Sequence, residues 1–164
     1  MVAMLLTMCL IPALPGAPYE VRGNGEMFPL NGPTWSLFFE YVGNILYALV
    51  IRRFSTKALA VLVAVLGALH AYFFVGYLSG YDSVGVGWTI DSVNFWGGAV
   101  RMLFPFTVGM LLARKFSARS VKGAFWICSA LLIVIFSVPY LAYDKAISIN
   151  SLYEVICIAA VFPF

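Results

Sequence analysis

Three titratable side chains within long apolar segments carry the candidate chemistry of this sequence. Glu40, His70 and Arg101 each interrupt a run of apolar residues, and His70 is the only histidine of the chain. A charge inside a lipid-spanning helix costs roughly 2.5–3.5 kcal/mol on insertion scales, so such groups normally face protein or water. We interpret Glu40 and Arg101 as an ion pair that lines a polar cavity and acts on a substrate. A buried pair that only fixes helix register is the alternative.

The expected depth of these groups supports a shared site. At a rise of about 1.5 Å per residue, Glu40 lies roughly 10 Å inside the outer end of its helix, and His70 and Arg101 lie roughly 12 Å inside theirs. The three side chains are therefore expected in one layer of the outer half of a membrane. His70 is a candidate substrate-binding residue, although a lone histidine on an apolar helix is more often a hydrogen-bonded core residue.

The composition indicates which elements must position these groups. Hydrophobic residues make up 63% of the 164 residues and charged residues 10%, whereas a soluble domain carries about 25% charge. The apolar runs are continuous, which is typical of membrane helices and not of a barrel. We predict an all-α, polytopic transmembrane helix bundle in which residues 1–164 are one membrane domain, a fragment of a longer domain. The pattern predicts neither a nucleic-acid partner nor a metal site.

Four complete spans and a partial span at each end are predicted from the apolar runs, since about 20 residues cross the hydrocarbon core. The complete spans lie at 33–51, 58–78, 93–113 and 123–143, and the partial spans at 1–14 and 151–164. Basic residues concentrate in the loops 52–57 and 114–122, which the positive-inside rule places in the cytoplasm. We therefore expect a multi-pass protein of the inner (plasma) membrane, in contact with its lipid.

Two further local patterns have structural interpretations. Gly97, Gly98 and Gly109 are expected to permit close approach of neighbouring helices. Ser151 and Glu154 match a capping box that would open the last helix.

Two segments resemble motifs of one family. Residues 31–40, NGPTWSLFFE, resemble the N-G-P-x-W-S-L-x-x-E signature of the acyltransferase family 3 membrane proteins. Residues 101–114, RMLFPFTVGMLLAR, resemble the R-x-x-x-x-F-x-x-G-M-x-x-x-R helix of the same family. These proteins are bacterial O-acyltransferases, often O-acetylases, that modify lipopolysaccharide, peptidoglycan, exopolysaccharide and other acceptors.

The resemblance implies an enzyme that transfers an acyl group, commonly acetyl, from acyl-CoA to hydroxyls of envelope polysaccharide or glycolipid. It implies Glu40 and Arg101 as catalytic residues and Trp35 and Ser36 as substrate-binding residues of the full-length protein. Acyl-CoA is the expected donor substrate, an envelope glycan is the acceptor, and no bound cofactor is expected. The family's proposed catalytic histidine lies on the first helix, ten residues after an arginine. No position of this sequence matches it. A transport or binding module whose Glu40–Arg101 layer lines a substrate pathway, or an inactive fragment, is the alternative.

Overall fold

A computed structural model of the protein describes residues 1–18, 22–76, 78–80, 83–117, 120–140 and 148–161. These residues form six helices and no β-strand, so the predicted all-α class is confirmed. The helices are α1 (Val2–Met8), α2 (Thr34–Leu49), α3 (Thr56–Val75), α4 (Ser92–Lys115), α5 (Ala124–Phe136) and α6 (Ile149–Ile156). A 3-10 turn, Ile51–Arg53, follows α2, and α6 continues into a π-helical turn, Cys157–Val161.

Helices α3 and α4 are long and apolar enough to cross a membrane. They have 20 and 24 residues, and only 17% and 22% of their most apolar windows are buried inside the protein. The core helix of a soluble protein would be mostly buried, so this exposed apolar surface favours contact with lipid. Helix α2 has 16 residues and α5 has 13, fewer than the roughly 20 needed to cross. Four complete spans therefore stay a prediction, and the end of the predicted 123–143 span lies outside the described residues.

Helix α4 packs between α2 and α3, and two glycines allow the close contacts. A Cβ added at Gly98 would lie 2.7 Å from the Phe39 ring and 2.8 Å from the Cα of Gly87. A Cβ added at Gly97 would lie 2.6 Å from the side chain of Val86. The predicted close approach at these two glycines is confirmed. The same prediction for Gly109 is wrong, because an added Cβ there meets nothing within 4 Å.

Polar contacts fix both ends of α4. At its N-terminus, the Asp91 carboxylate accepts hydrogen bonds from the Val93 and Asn94 amides at 2.9 and 2.8 Å, and so satisfies donors that the helix leaves unpaired. At the other end, Arg114 Nη1 donates to the Phe54 carbonyl at 2.7 Å. This bond joins the connection 52–57 to the start of the connection 114–122, so these two parts of the chain lie at the same end of the bundle.

Pro105 lies inside α4, four residues after Arg101. Proline has no amide hydrogen, so the usual intrahelical donor to the Arg101 carbonyl is missing.

Two connecting segments pair at the end of the bundle opposite Arg114. The Met27 amide donates to the Trp88 carbonyl at 2.7 Å, and the Ala13 amide donates to the Met27 carbonyl at 2.7 Å. The side chains of Met27 and Phe28 are buried in a cluster with Trp35 of α2. The paired segments therefore cover the start of α2, where the sequence NGPTWS lies.

Candidate active site

Arg101 meets the start of α2 through the ring of Trp35. The guanidinium carbon of Arg101 lies 5.0 Å from the centroid of the Trp35 ring, which is cation–π geometry. Arg101 Nη1 also donates to the Val86 carbonyl at 3.2 Å. Trp35 is itself buried against Phe39, with 6.2 Å between the ring centroids. These contacts hold the guanidinium in one place and leave further N–H groups of its five-donor fork for a ligand.

The segment 83–88 forms a wall beside Arg101 and is hydrogen-bonded to side chains of two helices. The Val84 amide donates to Glu154 Oε2 at 2.7 Å, and the Gly87 amide donates to Asn94 Oδ1 at 3.2 Å. Gly87 has a φ of +121°, and a Cβ there would lie 2.6 Å from the Trp35 ring. Only glycine fits this left-handed conformation and close approach without strain. The wall is therefore fixed by α4 and α6 and lies directly against Trp35.

Arg101 borders two cavities. The smaller, of about 380 Å³, is lined by Pro33, Trp35, Ser36, Trp88, Arg101 and Met102. It brings together Trp35, Ser36 and Arg101, three of the residues that the sequence singled out. The Ser36 hydroxyl donates to the Pro33 carbonyl at 2.9 Å, so its oxygen can still accept a hydrogen bond.

The larger cavity, of about 680 Å³, shares Arg101 with the smaller one as a lining residue. Its polar part includes Arg101 and Glu154, and its apolar part includes the end of α5 and Ile158 of the π-helical turn. The Tyr153 hydroxyl donates to the Ile135 carbonyl at 2.9 Å and so joins α6 to the end of α5. The cavity lining therefore combines two charged groups with apolar side chains.

Glu40 is not part of this arrangement. Its side chain is exposed, and the ion pair found among the described residues is Arg22–Glu26, at 3.2 Å. The predicted Glu40–Arg101 ion pair is therefore wrong. Helix geometry gives the reason: five residues at about 100° each place Glu40 roughly 140° around α2 from Trp35. Trp35 faces α4, so Glu40 faces away from it.

His70 is fully buried between aromatic rings. Its ring centroid lies 4.7 Å from that of Phe74 and 5.2 Å from that of Phe104. The backbone of Val100 is close, but neither ring nitrogen forms a hydrogen bond with a described residue. His70 lines neither cavity beside Arg101. His70 therefore lies where a core residue would lie, but it lacks the hydrogen bond expected of a core histidine. Its role in binding substrate stays a prediction.

Glu154 is a site residue that the sequence interpretation missed. Ser148, not Ser151, caps α6: its Oγ accepts from the Ser151 amide at 3.0 Å. The predicted capping box is wrong, because the Glu154 carboxylate points across to the Val84 amide. The available signal was a carboxylate in an apolar segment, the same signal that singled out Glu40.

The chemistry available around Arg101 is hydrogen bonding by fixed charges. Arg101 can donate to a carbonyl oxygen on which negative charge develops, and Glu154 can accept from a hydroxyl. Among the described residues, no group of three or more His, Cys, Asp or Glu side chains could hold a metal ion.

The residues around Arg101 belong to a chain that matches one known protein family. A family model described as an acyltransferase domain, that of acyltransferase family 3, matches residues 1–163. The chain belongs to acyltransferase family 3. The resemblance of residues 31–40 and 101–114 to motifs of this family is thereby confirmed, and Trp35 and Arg101, one from each motif, are in contact. Acyltransferase family 3 is membrane-associated, which agrees with the two apolar helices α3 and α4. No match was found among curated proteins, and none among solved structures.

Proposed function

We propose that this protein is a membrane O-acyltransferase that transfers an acyl group, commonly acetyl, from acyl-CoA to a hydroxyl of an envelope polysaccharide or glycolipid. Family membership supports acyl transfer. The observation that carries the proposal to particular residues is the guanidinium of Arg101, 5.0 Å from the Trp35 ring centroid in a cavity that Ser36 also lines. That cavity is the proposed place of the reacting acyl group.

The proposed step is attack of the acceptor hydroxyl on the thioester carbonyl. The new C–O bond forms and the C–S bond breaks, while a base takes the hydroxyl proton and the thiolate of CoA is protonated as it leaves. Negative charge develops on the carbonyl oxygen, and we assign Arg101 to stabilise it. Trp35 holds the guanidinium, and Ser36 binds the substrate through its hydroxyl. The resemblance to the family implies a catalytic role for Glu40, and we keep this role as a proposal. Glu40 would act from the face of α2 that points away from Trp35.

The proposed orientation lets acyl-CoA approach the site from one end of the bundle and the acceptor from the other. We propose a multi-pass protein of the inner membrane with the loops 52–57 and 114–122 in the cytoplasm, where acyl-CoA is made. The bond from Arg114 to Phe54 supports a common side for the two basic loops, and their charge supports the cytoplasmic side. Arg101 and Trp35 then lie toward the outer face, where the envelope glycan is present.

Substitution of Arg101 tests the function. Membrane vesicles that contain the protein are supplied with labelled acetyl-CoA and envelope glycan, and label on the glycan is counted. Arg101→Ala is expected to lower the rate by about 10²–10³, the usual cost of losing one donor to a developing oxyanion. Arg101→Lys is expected to recover little, because lysine lacks the planar fork.

The control is Lys122→Gln, which removes an exposed cation that lines neither cavity. It is expected to leave the rate unchanged, and immunoblotting verifies equal protein in the membrane. A wild-type rate in Arg101→Ala would contradict the assignment of Arg101. Absence of glycan labelling by the wild-type protein from both acetyl-CoA and longer acyl-CoA donors would contradict the proposed function.

Trp35 gives a second, graded test of the same site. Trp35→Leu removes the aromatic face under the guanidinium, and cation–π contacts contribute about 0.5–2 kcal/mol. We expect a rate loss of about 2- to 30-fold, since about 1.4 kcal/mol is a factor of ten. Trp35→Phe keeps an aromatic ring with a weaker cation–π interaction, so its rate should fall less than that of Trp35→Leu. Equal rates for the Leu and Phe variants would show that the ring does not act through Arg101.

A further inference from the structure

The larger cavity beside Arg101 contains a second charged group, Glu154, to which the proposed reaction assigns no role. Arg101 and Glu154 line the same cavity and interact electrostatically. They form no ion pair within 4.0 Å in the described structure. One oxygen of Glu154 accepts from the Val84 amide at 2.7 Å, and the other has no hydrogen-bond partner among the described residues. The cavity lining therefore contains an anion and a cation that do not form an ion pair with each other.

We propose that this cavity binds an uncharged, hydroxyl-bearing amphiphile of the alkyl glycoside class, with Arg101 and Glu154 bound to hydroxyls of its head group. The inference rests on the proposed function in one respect, because such a ligand would be the acyl acceptor. It adds a location for that ligand and a residue, Glu154, that selects it.

The charges favour a neutral head group. A phosphate or carboxylate would be attracted by Arg101 and repelled by Glu154. An ammonium group would be attracted by Glu154 and repelled by Arg101. A hydroxyl both donates and accepts hydrogen bonds, so neighbouring hydroxyls of one sugar can bind the guanidinium and the carboxylate together. The hydrogen bond from Val84 fixes the carboxylate, which lowers the entropy cost of ordering it when a ligand binds.

The walls favour a ligand that also has an apolar chain. The cavity volume of about 680 Å³ lies within the roughly 300–1,000 Å³ of small-molecule sites. The lining also includes apolar side chains from the end of α5, the segment after it and the π-helical turn. These are Ile135, Phe136, Val138, Pro139 and Ile158. An alkyl chain against these side chains would leave water, at about 25 cal/mol per Å² of apolar surface.

The position of Arg101 explains how the two cavities would serve one reaction. Arg101 lines both of them, so a hydroxyl bound in the larger cavity lies beside the guanidinium that would hold the acyl carbonyl in the smaller one. Glu154 acts here as a positioning residue for the acceptor. It contacts the ligand but is not assigned a part in the chemical step.

Photo-crosslinking tests the site without any acyl transfer. The protein in lipid nanodiscs is irradiated with an octyl β-glucoside that carries a diazirine on its chain, and labelled peptides are mapped by mass spectrometry. Label is expected on residues 135–140 and 149–158. Octyl β-glucoside should compete better than octyl phosphate or 1-octanol. Stronger competition by octyl phosphate, or equal competition by 1-octanol, would overturn the proposal.

The variant Glu154→Gln tests the charge while keeping an oxygen that can accept from Val84. A hydrogen bond to a charged group is stronger than one to a neutral group, so we expect about tenfold weaker labelling by the glucoside probe. Glu26→Gln is the matched control, because Glu26 pairs with Arg22 and lines neither cavity beside Arg101. Thermal unfolding verifies that both variants fold. Unchanged labelling in a folded Glu154→Gln protein would overturn the role of Glu154.

Kinetics separate this proposal from the proposed function. With an alkyl glycoside as acceptor, Glu154→Gln should raise the acceptor KM about tenfold with little change in kcat, whereas Arg101→Ala should lower kcat. Competition by glucoside and sensitivity to Glu154→Gln without any acyl transfer would refute the function and leave the binding site standing. Acyl transfer that depends on Arg101, with no glucoside label in the cavity, would refute the binding site alone.

Discussion

The close contact of Gly98 with two neighbours makes Gly98→Ala a demanding test of the packing around Arg101. The added methyl group would lie 2.7 Å from the Phe39 ring and 2.8 Å from the Cα of Gly87, where ordinary contact begins at 3.4 Å. The ring can shift, but Gly87 offers only backbone, which itself lies against Trp35. Helix α4 and the segment 83–88 must therefore separate by about 0.6 Å at this point, the difference between 2.8 and 3.4 Å.

The energetic cost of this contact is the difference in the free energy of unfolding between Gly98→Ala and Gly109→Ala, two variants of helix α4. Overpacking costs about 1–3 kcal/mol, and replacing a helical glycine by alanine recovers up to about 1 kcal/mol. Gly109→Ala has the same helix gain without any contact, since an added Cβ there meets nothing within 4 Å. The free energy of unfolding of Gly98→Ala should therefore lie about 1–3 kcal/mol below that of Gly109→Ala.

Unfolding in mixed detergent micelles measures this difference, and the glycan-labelling assay measures its effect on the site. Separation of α4 from the segment 83–88 should disturb the contacts of Arg101 with Trp35 and Val86. A misplacement of about 1 Å can cost about 100-fold in rate, so a fall of tenfold or more is expected in Gly98→Ala and none in Gly109→Ala. Equal stability and equal rate in the two variants would refute the reasoning.

Two further predictions concern carboxylates outside the Arg101 cavities. Partial burial acts to raise the pKa of Asp91, but hydrogen bonds from the Thr89 hydroxyl and from Asn94 and Val93 lower that pKa below its ordinary 3.8. Stability from the Asp91 cap is therefore full above 3.8 and is lost as the pH falls through the lower folded-state pKa. Asp91→Ala should cost about 0.5–2 kcal/mol at neutral pH and less in acid, and a difference in unfolding free energy that does not change with pH would contradict this. Glu40→Gln should abolish glycan labelling with unchanged protein in the membrane, and a wild-type rate would remove Glu40 from the candidate catalytic residues.

The sequence singled out three residues that lie together in the structure, but it also predicted an ion pair that the structure does not contain. The motif at 31–40 and the arginine at 101 led to Trp35, Ser36 and Arg101, and these three line one cavity. Depth along a helix follows from residue count, but contact also depends on the rotation of each helix about its axis. Trp35 and Glu40 lie on different faces of α2, so a comparison of depths alone could not exclude the Glu40–Arg101 pair.

The contacts of the segment 83–88 could not be predicted from local patterns at all. Glu154 and Val84 are 70 positions apart, and no periodicity or cap signature relates an acid on α6 to an amide in a loop. From the sequence, this segment is recognisable only as a connection with two glycines, Gly85 and Gly87. Its role as a wall follows from long-range packing: Gly97 and Gly98 admit it, and Trp35 covers it.

The proline within α4 gives this helix a preferred point of bending. Removal of one intrahelical hydrogen bond lowers the resistance to bending there, and sharp kinks in helices occur most often at such positions. The half of α4 below Pro105 is fixed at Arg114 by the bond to Phe54, whereas the half above it bears Arg101. From this upper half, Arg101 reaches the Trp35 ring and the Val86 carbonyl. The missing bond at Pro105 therefore lets the upper half of α4 adjust its direction to these contacts without moving the end that bears Arg114.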